Sequence, residues 1–435
     1  MKGQCAGHYN HCPRKYPAKT TTDSIFFCAA GAEGSNAAGA GIRVPPNALR
    51  LFERWGVDLS DTKKVVSTGN RFKDWKDNIL LDVSYRRLKR DMGTTYYMVH
   101  RADLINLLVR TARERPNITI KTGARVVEYD FDGGRVRTQD GKLYGGDLVV
   151  GADGIKSIAR DLINGEPAKA MDTGDVAYRI LVPSKGLLDD PELAPLMTEP
   201  RITSWAGPEI HFVGYPLREG ELYNMILCCS IKSTSHGKKL GEDDWIVTAD
   251  NAELCKTFQG WCSPVEKLVA LAGQIPFLKW KLSELPQLKR WVHPSGKVIL
   301  LGDSCHPMLP YLAQGAAQAT EDAGTLRAAL AKYSSLPEAL HAYERQRIAR
   351  TAYVIANTKL HQEWLHVYDG EVRDERDRLM KLDRPENPIL WGSSERLGWL
   401  FGHDAEMLLA ENEEPYIPYL PAMPPQNASI YQAHL

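Results

Sequence analysis

Apolar positions change texture three times along the chain. Between Asn47 and Pro116 they recur at helical spacing. Ala48, Leu51, Phe52 and Trp55 share one face of a predicted helix that opens after Asn47, a good N-cap, and stops at Gly56. Leu104, Leu107, Leu108 and Ala112 share a face of a second helix, which begins near Arg101 and has Pro116 beyond its end. Short apolar runs at 118–121, 124–131 and 147–151 follow and read as strands. The last of them, DLVVGADG at 147–154, carries Gly and Asp at its tip, which suits a strand buried on both faces. Helix alternating with strand argues for an α/β nucleotide-type domain.

From about 172 to 290 the texture becomes strand after strand. Runs at 178–182, 202–205, 210–217 and 222–230 predict a mainly antiparallel sheet without helices between its strands, plausible as a domain inserted into the first. The α/β pattern then returns. KVILLGD at 297–303 is another buried strand with an acidic tip, and helical stretches at about 314–332 and 336–364 follow it. Beyond 366 the chain is Pro-rich and predicted irregular, with one apolar patch at 397–401. The expected organisation is an atypical segment at 1–38, a first domain from 39–171 and 291–365, an inserted β-sheet domain at 172–290, and a tail at 366–435.

Composition narrows the class. Lys plus Arg (54) balances Asp plus Glu (54), which argues against nucleic acid or an acidic membrane surface as a main partner. The apolar share of 43% and charged share of 25% are those of an ordinary globular chain. No run of 18 apolar residues predicts a membrane span, and MKGQCAGHYNHCPRKYPAKT at the start has no apolar core of a secretory signal; a cytoplasmic protein is expected. Eight cysteines over this length are intracellular usage and no disulfide framework.

Candidate chemistry concentrates in GDSCHPMLPYLAQGAAQATEDAG, residues 302–324. A buried strand delivers Asp303 at its C-terminal end, where open α/β sheets bind ligands. Pro307 and Pro310 stiffen the turn, and Gly315 lets a ligand approach the backbone just before a helix. That helix N-terminus offers free N–H groups and a positive dipole end to an anionic ring or phosphate.

Together, DLVVGADGIKSIAR (147–160) and this motif resemble the two internal signatures of FAD-dependent aromatic hydroxylases of the salicylate and para-hydroxybenzoate hydroxylase type. GAGIRVPPNALRLFERWGV (39–57), YMVHRADLINLL (97–108) and HAYERQRIARTAYV (341–354) are similar to further family segments, in the family's order. The resemblance spans residues 39–405 of 435 and is greatest to the fungal secondary-metabolism branch. It implies a Rossmann-like FAD-binding domain with an inserted, mainly antiparallel substrate domain. It also implies an NADPH- or NADH-dependent monooxygenase that passes oxygen from a flavin hydroperoxide, formed with O2, to a small aromatic or phenolic substrate.

Carried residue by residue, the resemblance puts Arg101 on the FAD phosphate or ribose and Asp153 and Gly154 by the pyrophosphate. Asp303 would accept from the ribityl hydroxyls, and Gly315 with Ala316 would offer backbone N–H groups to the flavin ring. Gly39, Ala40 and Gly41 would allow close backbone approach. Arg179 in AYRILVP and Tyr215 in VGYPL would orient the phenol.

The N-terminus departs from the family. No GxGxxG precedes residue 100; Gly31 and Gly34, like Gly39 and Gly41, have the wrong spacing, and Pro45-Pro46 keeps the latter from opening a helix in register. The one strand-like run, 24–30, ends in small residues with no Glu for the adenosine ribose. A replaced βαβ unit (a gene-model or splice change) and a loss of tight FAD binding are the two accounts, and the first is expected because 39–405 shows no decay. Two rival functions follow: a flavin-poor binding protein of the same fold, or a flavin oxidase or dehydrogenase without oxygen insertion. Other features read as structural. Cys5, His8, His11 and Cys12 match no standard zinc spacing, so no metal is expected. Cys228 and Cys229 alternate across a strand, His306 stands in the flavin turn as a structural residue, and Trp399 and Phe401 pack.

Overall fold

In the computed structural model, residues 24–27, 40–168, 170–230, 246–249, 251–273, 275, 277–410 and 413–425 are described. The main sheet has eight strands in the order Ile246–Thr248, Leu278–Glu284, Met171–Pro183, Leu222–Ser230, Ile210–Leu217, Ile202–Gly207, Gly69–Asp74 and Ile79–Ser84. Every pairing is antiparallel except that of Ile202–Gly207 with Gly69–Asp74. The sheet therefore recruits residues 69–84 from well outside the 172–290 stretch. Two short helices, Lys185–Leu188 and Ala194–Thr198, also interrupt the strand succession. Pro195 and the turn residues around Asp189 and Asp190 favour these single-turn pieces over extended chain.

Alternation divides the sheet's side chains between two cores. One face buries Val176, Tyr178, Ile180, Trp205, Phe212 and Leu227 against helices Asn251–Thr257 and Ser263–Ala272. The opposite face carries Arg179, Ile226, Val213 and Tyr215, and packs against the C-terminal third of the chain. Cys228 and Cys229 point to opposite faces and are both buried. Burying a strand on both faces is why 210–217 is apolar almost throughout.

The α/β part holds two separate parallel pairs. Ser24–Phe27 lies beside Ile118–Lys121, and Val149–Gly151 beside Val298–Leu300. Val298, Ile299 and Leu300 are fully buried, but Val150 is 40% exposed. The expectation that 147–151 is buried on both faces is thus corrected: among the described residues the strand has one partner only, and its other edge is uncovered. The first helix, Pro46–Trp55, also begins earlier than predicted. Pro45 is its N-cap and Pro46 its first residue, where a missing N–H is harmless, so Asn47 is free for another use. Gly56 ends the helix in the left-handed region (φ 75°).

Helices Gly315–Lys332 and Leu336–Leu365 appear where the pattern places them. The region after 366 is more ordered than predicted. Glu371–Met380 and Ser394–Gly402 are helices, and Phe401 is buried against Tyr85 and Tyr96. Among the described residues, no helix is long and apolar enough to cross a membrane.

Candidate active site

Strand Val298–Leu300 runs into the tight turn Gly302–Ser304, with Gly302 at φ +68°. Three contacts fix the turn. Ser304 Oγ donates to the Gly151 carbonyl (2.7 Å), tying the tips of the two neighbouring strands together. Gly302 N donates to Asp322 Oδ2 (2.9 Å), and His306 Nε2 meets the same oxygen at 2.6 Å. Asp303 is left with an exposed side chain. The walls around it raise its carboxyl above the usual range, against the opposing charges of His306 and Arg101.

Beyond the turn, Ala313 takes a left-handed backbone (φ 51°) and the helix Gly315–Lys332 opens. No side chain caps its N-terminus and no acidic residue occupies its first turn, so its leading N–H groups and positive dipole end are unopposed. A Cβ at Gly315 would stand 3.8 Å from Met308 and 4.0 Å from Asp303 Oδ1, in the space facing the carboxylate. Arg101, the first residue of helix Arg101–Arg113, is held through its backbone N–H on the Ala40 carbonyl (3.0 Å), and its side chain is exposed. Its charge acts on both Asp303 and Arg179, so the three lie within electrostatic reach of one another.

The main sheet supplies the other candidates. Arg179 projects from Met171–Pro183 with its guanidinium 4.5 Å from the Trp280 ring centroid. Burial, and next the charge of Arg101, lower its pKa; it forms no ion pair among the described residues. Tyr215 is buried and pushed up to about 12, chiefly by burial, with Arg43 and Arg179 opposing. A Cβ on Gly41 would collide with the Tyr215 ring at 2.6 Å, and Gly41 N donates to Asn224 Oδ1 (2.7 Å). Gly41 is thus required by Tyr215.

The remaining predicted residues are placed as follows. Ala40 is buried at the edge of strand Gly41–Val44, and Gly39 lies outside the described residues, as do Cys5, His8, His11 and Cys12. Asp153 accepts from Ser157 Oγ and from the backbone N–H of Ile158 (2.9 Å), so its carboxylate caps helix Ile158–Asn164. Gly154 has φ +79° with open space where a side chain would be. Cys305, His306 and Asp322 form a buried trio with the residue types of a metal site. Asp322 is already taken by Arg347, Gly302 N and His306, which makes the trio a structural support of the turn.

Sequence reasoning missed two groups. Arg347 reaches Asp322 (2.7 Å) and Glu321 (2.6 Å), and Arg350 reaches Glu321 (2.6 Å), all buried. Glu321 also accepts from Asn47 (2.7 Å), the residue expected to cap. The second group is Arg43 with Asn70, Tyr85 and Tyr96, all buried behind Tyr215. A charge inside the apolar run of GAGIRV was the only local sign of it.

These groups suit the flavin end of FAD. Asp303 would take its ribityl hydroxyls, Arg101 its phosphate, and the open helix start at Gly315 and Ala316 the electron-poor end of its ring. A family profile described as an FAD binding domain matches residues 287–358. The FAD-dependent monooxygenase atnJ of an Arthrinium species is 35% identical over 350 residues, covering 79% of this chain and 80% of that protein. The 3-hydroxybenzoate 6-hydroxylase of Polaromonas naphthalenivorans is 31% identical over 381 residues, covering 86% and 89%. A solved substrate complex of salicylate hydroxylase has the same fold, with a TM-score of 0.70 at 21% identity over 90% of this chain and 99% of that one. The chain belongs to the FAD-dependent aromatic-ring monooxygenases. It is an FAD-dependent monooxygenase with the family's α/β fold and large, mainly antiparallel sheet.

Proposed function

We propose that the protein hydroxylates a small aromatic or phenolic molecule, using NADPH or NADH as reductant and O2 as the oxygen source. One observation carries this: Arg179, a half-buried cation with no carboxylate partner among the described residues, packs on the Trp280 ring within electrostatic reach of Arg101 and Tyr215. When bound, FAD supplies electron transfer to dioxygen and delivery of one oxygen atom.

The chain's own residues do the rest. Arg101, Asp303 and the start of helix Gly315–Lys332 hold and orient the cofactor. Arg179 stabilises a phenolate over a phenol, because a nearby cation favours the charged form, and a phenolate ring is the better nucleophile toward an electrophilic oxygen. Tyr215, protonated far above neutral pH, donates a hydrogen bond to the same oxygen and fixes the ring's angle. The buried sheet face behind them excludes water.

The test is mass analysis of products after the full chain, supplied with FAD and NADPH, is incubated with a panel of phenols under ¹⁸O2. A product heavier by one ¹⁸O atom is expected. Reductant consumption with no labelled product from any phenol would remove the assignment.

A further inference from the structure

Far along the chain, prolines recur with a period that the monooxygenase site does not use. Pro415, Pro418, Pro421 and Pro424 occupy every third position of PYIPYLPAMPP (415–425). Each proline fixes its own φ and restricts the residue before it to extended or polyproline II backbone. Within 415–424 only Tyr416, Tyr419 and Ala422 escape both constraints. The carbonyls of these three residues are the ones held by side chains. Trp399 Nε1 donates to Tyr416 O (2.8 Å), the Tyr353 hydroxyl to Tyr419 O (3.1 Å) and Trp364 Nε1 to Ala422 O (3.0 Å). Pro418, Pro421 and Pro424 are buried and Pro415 half-buried, whereas every residue between them is exposed. One inward face repeating every third residue is the signature of a polyproline II helix, and the backbone over 413–424 is neither α-helix nor strand.

The surface beneath is aromatic and braced. Tyr353 and Trp364 lie about three turns apart on one face of helix Leu336–Leu365, and Trp399 comes from Ser394–Gly402. Trp399 meets the Tyr353 ring edge-on, with centroids 4.7 Å apart, and stands 4.2 Å from the Arg350 guanidinium. Tyr353 and Trp364 are 5% and 7% exposed and belong to the core that includes Tyr215. Polyproline II backbone makes no hydrogen bonds of its own, so its carbonyls are open to donors. Its stiffness also lowers the entropy cost of seating it on an aromatic surface. Indole N–H and phenol O–H groups thus take the carbonyls while the prolines pack inward.

We infer that Tyr353, Trp364 and Trp399 form a polyproline II peptide-binding groove, whose ligand is the chain's own 415–424 segment, bound as a separable strap. What the groove reads is a proline at every third residue. The same peptide should therefore bind when it is supplied as a separate molecule.

The experiment cuts the strap from the folded full chain. A specific protease site is inserted between Glu413 and Glu414, both exposed. After cleavage, an excess of fluorescently labelled PYIPYLPAMPP should exchange into the groove, read by anisotropy. A peptide with alanine in place of Pro418 and Pro421 should bind about tenfold more weakly or worse, having lost two buried rings. Tyr353→Phe removes one donor and should weaken the native peptide by about threefold to tenfold. No uptake of the native peptide, or equal uptake of the alanine peptide, overturns the groove. If the insertion prevents folding, the intact chain decides. Pro418→Ala combined with Pro421→Ala should speed release of the tail in limited proteolysis, whereas Pro425→Ala, at an exposed proline outside the repeat, should not. Equal release rates from the native chain and both variants overturn the inference.

Discussion

Asp303 presents a carboxylate with no hydrogen bond or ion pair among the described residues, 4.0 Å from where a Gly315 side chain would begin. Asp303→Ala should therefore weaken flavin retention far more than folding. One lost charge-assisted hydrogen bond is worth ~1.5–3 kcal/mol, or roughly one to two decades of affinity. Equilibrium dialysis of FAD against the two proteins measures it, and equal retention would move Asp303 out of the site. On the proposed reading Arg179 and Tyr215 contact the substrate, so Arg179→Ala and Tyr215→Phe should spare the bound-flavin spectrum while diverting NADPH oxidation into hydrogen peroxide. Peroxide yield per NADPH is the readout; unchanged coupling in both variants removes them from the substrate wall. Asp175 adds a pH signature. Burial pushes its carboxyl up to about 6, against the hydrogen bonds from Tyr311 and Gln362. A raised carboxyl stabilises the fold fully below its unfolded pKa of about 4, and that contribution is lost as pH rises through about 6. Asp175→Asn should consequently melt near the native chain at pH 4 and above it at pH 7, by up to ~3 kcal/mol. A melting difference that does not vary with pH would contradict this.

At the scale of elements, helices Gly315–Lys332 and Leu336–Leu365 are joined by a buried ion cluster that also fixes the Gly302–Ser304 turn. Arg347 bridges Glu321 and Asp322, and Asp322 in turn holds Gly302 N and His306. The guanidinium groups of Arg350 and Arg347 offset burial and keep Glu321 well below the usual carboxylate range. Arg347→Met leaves two buried carboxylates short of a partner and should destabilise by ~3–5 kcal/mol, read from denaturant unfolding. A loss below 1 kcal/mol would mean the cluster relaxes. Both helices and the Asp303 turn were legible in sequence because each is set by a local signal: long runs of strong helix formers such as Ala, Leu, Glu and Arg, a buried apolar run, and a glycine after a proline turn. Arg43, Asn70 and Tyr85 were not, because their meeting depends on Gly69–Asp74 pairing in parallel with Ile202–Gly207, across more than a hundred residues. The helix Glu371–Met380 was missed for another reason. It is ten residues long and almost wholly charged, with Arg376 and Met380 as its buried residues, so it carried little apolar signal beside a proline-rich stretch.

At the scale of the molecule, the two parallel strand pairs set the last prediction. Ser24–Phe27 with Ile118–Lys121, and Val149–Gly151 with Val298–Leu300, are not joined by a strand among the described residues. Ile25 (46%), Phe26 (55%) and Val150 (40%) are exposed accordingly. In the family's sheet the first strand is central and leads into the glycine turn for the pyrophosphate, and residues 1–38 contain no GxGxxG. If two or three phosphate and ribose contacts are missing at ~1.5–3 kcal/mol each, the shortfall is on the order of 3–9 kcal/mol. That is roughly two to six decades in affinity, an upper range because such terms do not add cleanly. Asp303, Arg101 and the helix start at Gly315 are retained for the proposed flavin end, so added FAD should bind, but weakly. We therefore expect the chain as written to purify pale. Replacing residues 1–38 with a strand-GxGxxG-helix-strand-Glu segment should yield a yellow protein with a higher melting temperature, because it covers the open edges as well as the phosphates. An absorbance scan over the flavin bands compares the two. Stoichiometric flavin in the unmodified chain would show that its own N-terminal residues supply the missing contacts by another route.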